Sequence, residues 1–102
     1  MSGNILRLIR IANNMNIKQT SEKIGLSTSH ISDLERGRKK VSLSVLEKYC
    51  FGFNIPPSKI ILFDSLQENL SYQQLLKMIL EYYLFENNME ISKGESEISK
   101  SK

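Results

Sequence analysis

Apolar side chains follow helical spacing nearly throughout the chain. Ile5, Leu8, Ile9 and Ala12 stand at i, i+3, i+4 and i+7, the stripe of a helix laid on a core. Asn13-Asn14 favours a turn. A second short helix is expected from an N-cap at Asn16 to Ile24. Gly25 follows it, a residue that enters left-handed backbone without steric cost. Ser27 then reads as the N-cap of a third helix whose inward positions are Ile31 and Leu34, and Gly37 suits its end. Ser42 or Ser44 opens a fourth helix with Leu43, Leu46, Tyr49, Cys50 and Phe53 as its apolar positions. Asn54 fits a left-handed position after that helix, and Ile55 can fold back on it. Pro56-Pro57 starts a fifth helix, since proline needs no donor at the first helical position, and Ile60, Ile61 and Phe63 are expected to face inward.

Residues 64–70, DSLQENL, look like a connector. Ser71 and Gln74 form the spacing of a capping box. The helix it opens carries Tyr72, Leu75, Leu76, Met78, Ile79, Leu80, Tyr82, Tyr83, Leu84 and Phe85, too many for one stripe, so it should be buried on more than one side. The closing run SKGESEISKSK, residues 92–102, is polar and of low complexity and reads as a disordered, flexible tail. The expected fold is therefore all-α: a five-helix unit over residues 1–63, the connector, one additional C-terminal helix over 71–90, and the tail.

Charge sharpens this division. Residues 1–63 hold ten Lys/Arg against four Asp/Glu, a net of +6, and residues 64–102 hold four against seven, a net of −3. The first segment can attract a polyanion and the second cannot. There is one cysteine, Cys50, in an apolar helical stretch, so no internal disulfide or zinc-site spacing exists and core filling is its expected role. No signal peptide is evident and no apolar run approaches the roughly 20 residues that span a bilayer, so the cytoplasm is the expected location and no membrane partner is expected. With one His, one Cys and no glycine-rich phosphate loop, no catalytic constellation, metal site or cofactor site can be assembled; the chain does not read as an enzyme.

Residues 15–40, MNIKQTSEKIGLSTSHISDLERGRKK, supply what a helix-turn-helix needs. Gly25-Leu26-Ser27 is a turn, with Leu26 placed to tuck under both helices. The third helix has only Ile31 and Leu34 apolar, leaving Thr28, Ser29, His30, Ser32 and Asp33 outward, small or polar enough for a DNA groove. Arg36, Arg38, Lys39 and Lys40 form a basic cluster just beyond it.

Residues 5–63 resemble the phage-repressor-and-Cro type of helix-turn-helix family, often called XRE. The resemblance rests on Ile24-Gly25-Leu26-Ser27, Ser29-His30-Ile31-Ser32, Leu34-Glu35-Arg36-Gly37-Arg38, and Ser42-Leu43 with Leu46. It implies a five-helix DNA-binding domain over residues 1–63 that binds double-stranded DNA as a homodimer at inverted repeats and most often represses transcription. Carried across by position, Thr28 and Ser29 fall where the family reads bases, with Ser32 and Asp33 one turn on. Thr28 can hydrogen-bond a base or touch a thymine methyl, and Asp33 can accept from cytosine N4. His30 can donate to guanine or a phosphate, or pack on a neighbour. Arg36, Arg38, Lys39 and Lys40 match the stretch that meets the sugar-phosphate backbone, which positions the protein and gives salt-dependent affinity. Arg10 and Glu35 match a pair that joins the first helix to the end of the third. Two departures stand out. Ile17 occupies the position where members often carry a phosphate-gripping glutamine, for which Asn16, Lys18 or Gln19 can compensate. Thr20 and Ser21 replace the leucine and alanine the family prefers, which weakens that helix's packing.

The C-terminal helix has two open readings: packing on its own domain, or pairing with the same helix of a second chain through Tyr72, Leu76, Ile79 and Tyr83. Its aromatic content favours the pairing. A dimer presents two recognition helices to half-sites roughly 34 Å apart. The rival function class is a protein-interaction module, such as an antitoxin, whose C-terminal helix binds a protein partner.

Overall fold

The computed structural model describes residues 1–87, and within them every regular element is helical. The order is α1 (Gly3–Ala12), α2 (Ile17–Ile24), α3 (Thr28–Glu35), α4 (Leu43–Gly52), α5 (Pro57–Leu66) and α6 (Tyr72–Glu81), followed by a π-helical turn (Tyr82–Asn87). The tail expected at 92–102 lies outside the described residues.

Helix ends are set by local hydrogen bonds. Side chains of Ser2, Asn16, Ser27, Ser42 and Ser71 each accept from a backbone N–H of the first turn they precede. Asn16 with Gln19, and Ser71 with Gln74, complete reciprocal capping boxes. The chain reverses through left-handed residues: Asn14 at φ 55°, Gly25 at 76°, Gly37 at 77° and Asn54 at 51°. Asparagine and glycine are the residues that reach this region most readily.

Helix α1 is the axis of the core. Ile5, Leu6, Leu8 and Ile9 are all fully buried, and α3, α5 and α6 all pack on α1. Helix α2 packs on α3 and α4, and α4 on α5. Gly3 permits the closest approach. A Cβ there would stand 1.6 Å from the carbonyl oxygen of Leu34, so the start of α1 and the end of α3 meet backbone to backbone.

Two residues expected inward, Leu43 and Ile61, are exposed instead. Leu43, expected inward, is 70% exposed, while Val45 is buried. Leu43 is the first residue of α4, beyond the reach of the neighbouring helices, and Val45 turns toward the core. Ile61 is 53% exposed because α5 buries only the Ile60–Phe63 edge. Helix α5 also runs on to Leu66, which shortens the connector; Leu70 N–H donates to Leu66 C=O as the chain turns toward Ser71.

Helix α6 folds back onto its own chain. Leu75 and Ile79 are buried against the core formed by α1 and α5. Burying each stabilises the docking by roughly 1.5–3 kcal/mol. The Tyr82 ring stands edge-on to Phe63, with centroids 6.3 Å apart, and to Tyr83 at 5.1 Å. The Tyr83 hydroxyl donates to the carbonyl of Phe53 over 2.8 Å. Three of the four residues expected at a dimer contact are thus placed within the chain. Ile79 is fully buried within the chain, Tyr83 is tied to the end of α4, and Leu76 packs partly on the core. Of the four, Tyr72 alone is exposed. The physical reason is that α1 and α5 leave an uncovered apolar face, which α6 reaches through a short connector.

Candidate nucleic-acid interface

Gly25 in the left-handed conformation ends α2 and starts the reversal, and Ser27 caps α3 by accepting from His30 N–H at 3.1 Å. The Ser21 hydroxyl donates to the carbonyl of Leu26 and ties the reversal to α2. Of the two departures Thr20 and Ser21, Ser21 therefore holds the turn. Thr20 bears the cost of the departure: it is fully buried, and its hydroxyl oxygen has no partner among the described residues.

Ile31 and Leu34 anchor α3 with no exposure, which fixes what its other faces present. Thr28 and Ser29 are exposed at its start, with the Ser29 and Ser27 hydroxyls 3.3 Å apart. His30, Ser32 and Asp33 are half-buried. Asp33 is partly engaged. Its backbone carbonyl accepts from the N–H groups of Arg38 and Lys39, at 2.8 and 3.3 Å, and its carboxylate lies 3.9 Å from the Arg38 guanidinium. The turn after α3 is thereby folded under the helix end, with Arg36, Arg38, Lys39 and Lys40 all exposed.

At the start of α2, the capping box commits the side-chain oxygens of Asn16 and Gln19. Asn16 Oδ1 accepts from Gln19 N–H at 2.7 Å, and Gln19 Oε1 accepts from Asn16 N–H at 2.9 Å. Both amide NH2 groups, the half that an anionic oxygen needs, are left unused by these bonds. Lys18 stands exposed between them. Ile17 is half-buried and packs against the core.

Arg10 and Glu35 form a bidentate pair. Arg10 Nε and Nη2 donate to Glu35 Oε2 and Oε1 over 2.7 and 2.8 Å, and Arg10 Nη1 donates to the carbonyl of Met15 over 3.0 Å. The two side chains are 13% and 5% exposed. The hydrogen bonds to Glu35 raise the Arg10 pKa above its ordinary value, against the opposing effect of burial. One guanidinium thus joins α1, the turn before α2, and the end of α3.

Arg7 did not stand out as a site residue in the sequence, yet it lines a cleft of about 300 Å³ with Arg10, Ile17, Ser32, Glu35 and Arg36. Its spacing was the available signal, because Arg7 sits one turn before Arg10 on the same helix. Elsewhere, burial raises the Cys50 thiol pKa. Among the described residues, no group of three His, Cys, Asp or Glu side chains is arranged to hold a metal ion. No described helix is long and apolar enough to cross a membrane.

This arrangement agrees with what is similar to the chain. The "Transcriptional regulator ClgR" of Mycobacterium tuberculosis, from two strains, is 30% identical over 74 residues, covering 72% of this chain and 64% of the relative. The chain thus spans less than two thirds of the length of these curated relatives. No solved structure shows significant similarity to it. The helix-turn-helix family profile matches residues 6–60, the span that holds most of α1, the capped α2–turn–α3 unit, α4 and the start of α5, and the chain belongs to this XRE-type helix-turn-helix family.

Proposed function

We propose that the protein is a sequence-specific DNA-binding transcriptional regulator that inserts α3 into the major groove and represses from an inverted-repeat operator. The observation that carries this reading is the composition of the α3 surface. Its apolar residues are consumed by the core, its exposed start offers hydroxyl groups, and the exposed basic residues Arg36, Arg38, Lys39 and Lys40 follow its end. Thr28, Ser29, Ser32, Asp33 and His30 are the base-contacting candidates. Asn16, Lys18, Gln19, Arg36, Arg38, Lys39 and Lys40 are the phosphate-contacting ones. The relatives named as transcriptional regulators support the regulatory role.

A dimer remains part of the reading, through a different surface from that expected. Leu62, Met78 and Phe85 rim one cleft of about 240 Å³ on the outer side of α5 and α6, and all three are exposed. Apolar groups so placed suit a second copy of the chain.

Selection of bound duplexes from a random pool, followed by gel shift over a salt series, tests the function. The expected result is an enriched inverted repeat with half-site centres one helical turn apart. Affinity should fall steeply with salt, and Arg38→Ala with Lys40→Ala should reduce the slope of log K against log salt by about 2 per bound protomer. Failure to bind any duplex at low salt, together with co-purification of a protein partner, overturns the DNA reading in favour of an interaction module. Met78→Glu is expected to give a monomer by light scattering; a wild-type chain that is already monomeric at high concentration refutes the dimer.

A further inference from the structure

The cleft that holds Arg7 has a charge pattern of its own. Its floor is the Arg10–Glu35 pair, whose charges offset each other through two hydrogen bonds. Its rim carries Arg7 and Arg36, both exposed, and no hydrogen bond or ion pair among the described residues engages either guanidinium. The lining therefore carries a net charge of +2, presented by two arginines from different helices across one opening. Ile17 supplies an apolar wall without an acceptor, and Ser32 places the cleft beside the base-reading face of α3.

We propose that Arg7 and Arg36 together grip one phosphate of the DNA backbone in this cleft, so that α1 contributes directly to the DNA contact. This rests on the DNA-binding reading above. Two arginine side chains lining one cleft suit the oxygens of a single phosphate diester, which accepts bidentate bonds from arginine. Among the described residues neither cation is paired, so no ion pair within them must be broken to bind. The Arg10–Glu35 pair beneath holds α1 and α3 at a constant distance and so sets the gap between the two forks. Position 17 carries a side chain with no hydrogen-bonding group, and the arginines that line the same cleft supply the anion grip.

The test uses the full chain and one duplex of about 30 base pairs taken from the selected pool, with Lys40→Ala as reference. Arg7→Ala and Arg36→Ala are each expected to weaken binding on the order of tenfold at 0.1 M salt and to lower the salt slope by up to about 0.9 per bound protomer. The double variant should lose little more than either single one, because both residues serve one phosphate. Methylphosphonate placed at successive positions should identify one phosphate whose neutralisation weakens the wild type but not Arg7→Ala. Arg7→Lys should keep most of the salt slope and lose affinity, since it retains the charge without the fork. Arg7 is exposed, so thermal melting of the variants should match the wild type; if Arg7→Ala melts early, Arg7→Gln takes its place. Lys40→Ala lowering the slope while Arg7→Ala changes nothing, or fully additive losses with no shared phosphate, overturns this inference alone. Absence of binding by the wild type overturns the DNA-binding reading instead.

Discussion

Glu35→Ala tests how the recognition helix is held. Glu35 accepts two hydrogen bonds from Arg10, at 2.7 and 2.8 Å, and both side chains are largely withdrawn from water. Removing the carboxylate leaves a guanidinium with one bond, to the carbonyl of Met15, in a site that solvates it poorly. Breaking a buried pair from one side costs about 3–5 kcal/mol. The remaining exposure of Arg10 places the expected loss at the lower end, about 3 kcal/mol. For a domain of this size each 1 kcal/mol shifts the melting temperature by roughly 4–8 °C, so a fall of at least about 12 °C is expected. Arg10→Met combined with Glu35→Leu should recover most of the loss, because the desolvated charge is removed along with its partner. The assay is thermal and urea unfolding of Glu35→Ala and of the four proteins of the Arg10→Met, Glu35→Leu double-mutant cycle. A Glu35→Ala loss under about 1 kcal/mol, or a coupling energy near zero, refutes the argument that this pair clamps α1 to α3.

Two further outcomes follow from the packing. Gly3→Ala places a Cβ into the Leu34 carbonyl and forces two backbones apart, with an expected loss of about 1–3 kcal/mol by urea unfolding; an unchanged midpoint would falsify the close approach. Burial pushes the Tyr83 hydroxyl up to about 12, above its usual value near 10. The folded chain therefore holds this proton longer than the unfolded chain, and the stability is fully present below pH 10 and lost as pH rises toward 12. Tyr83→Phe should cost about 1 kcal/mol at neutral pH, through loss of the bond to Phe53, and should show a shallower alkaline decline. An identical pH profile in melting experiments counts against that assignment.

Sequence alone determined the features that depend on a few neighbouring residues. Asn16, Ser27, Ser42 and Ser71 cap helices because a side-chain oxygen reaches an N–H two or three residues away wherever the chain folds. Gly25, Gly37 and Asn54 turn the chain because their backbone preferences are intrinsic. The family motif from Ile24 to Arg38 was legible for the same reason, since its turn and its polar helix face are contiguous. Tertiary structure alone decided which apolar residues are covered. Leu6 and Val45 are buried while Leu43 and Ile61 are exposed, although all four are similarly hydrophobic, because burial depends on where neighbouring helices lie. It also decided the fate of the C-terminal helix. Periodicity showed more apolar surface than one stripe holds, but only the uncovered face of α1 and α5 directs Leu75, Ile79 and Tyr83 inward and leaves Met78 and Phe85 outside. The cleft of Arg7, Ser32 and Arg36 belongs to the same class. Its residues are far apart along the chain, and the packing of α1 against α3 is what brings their charges to one opening.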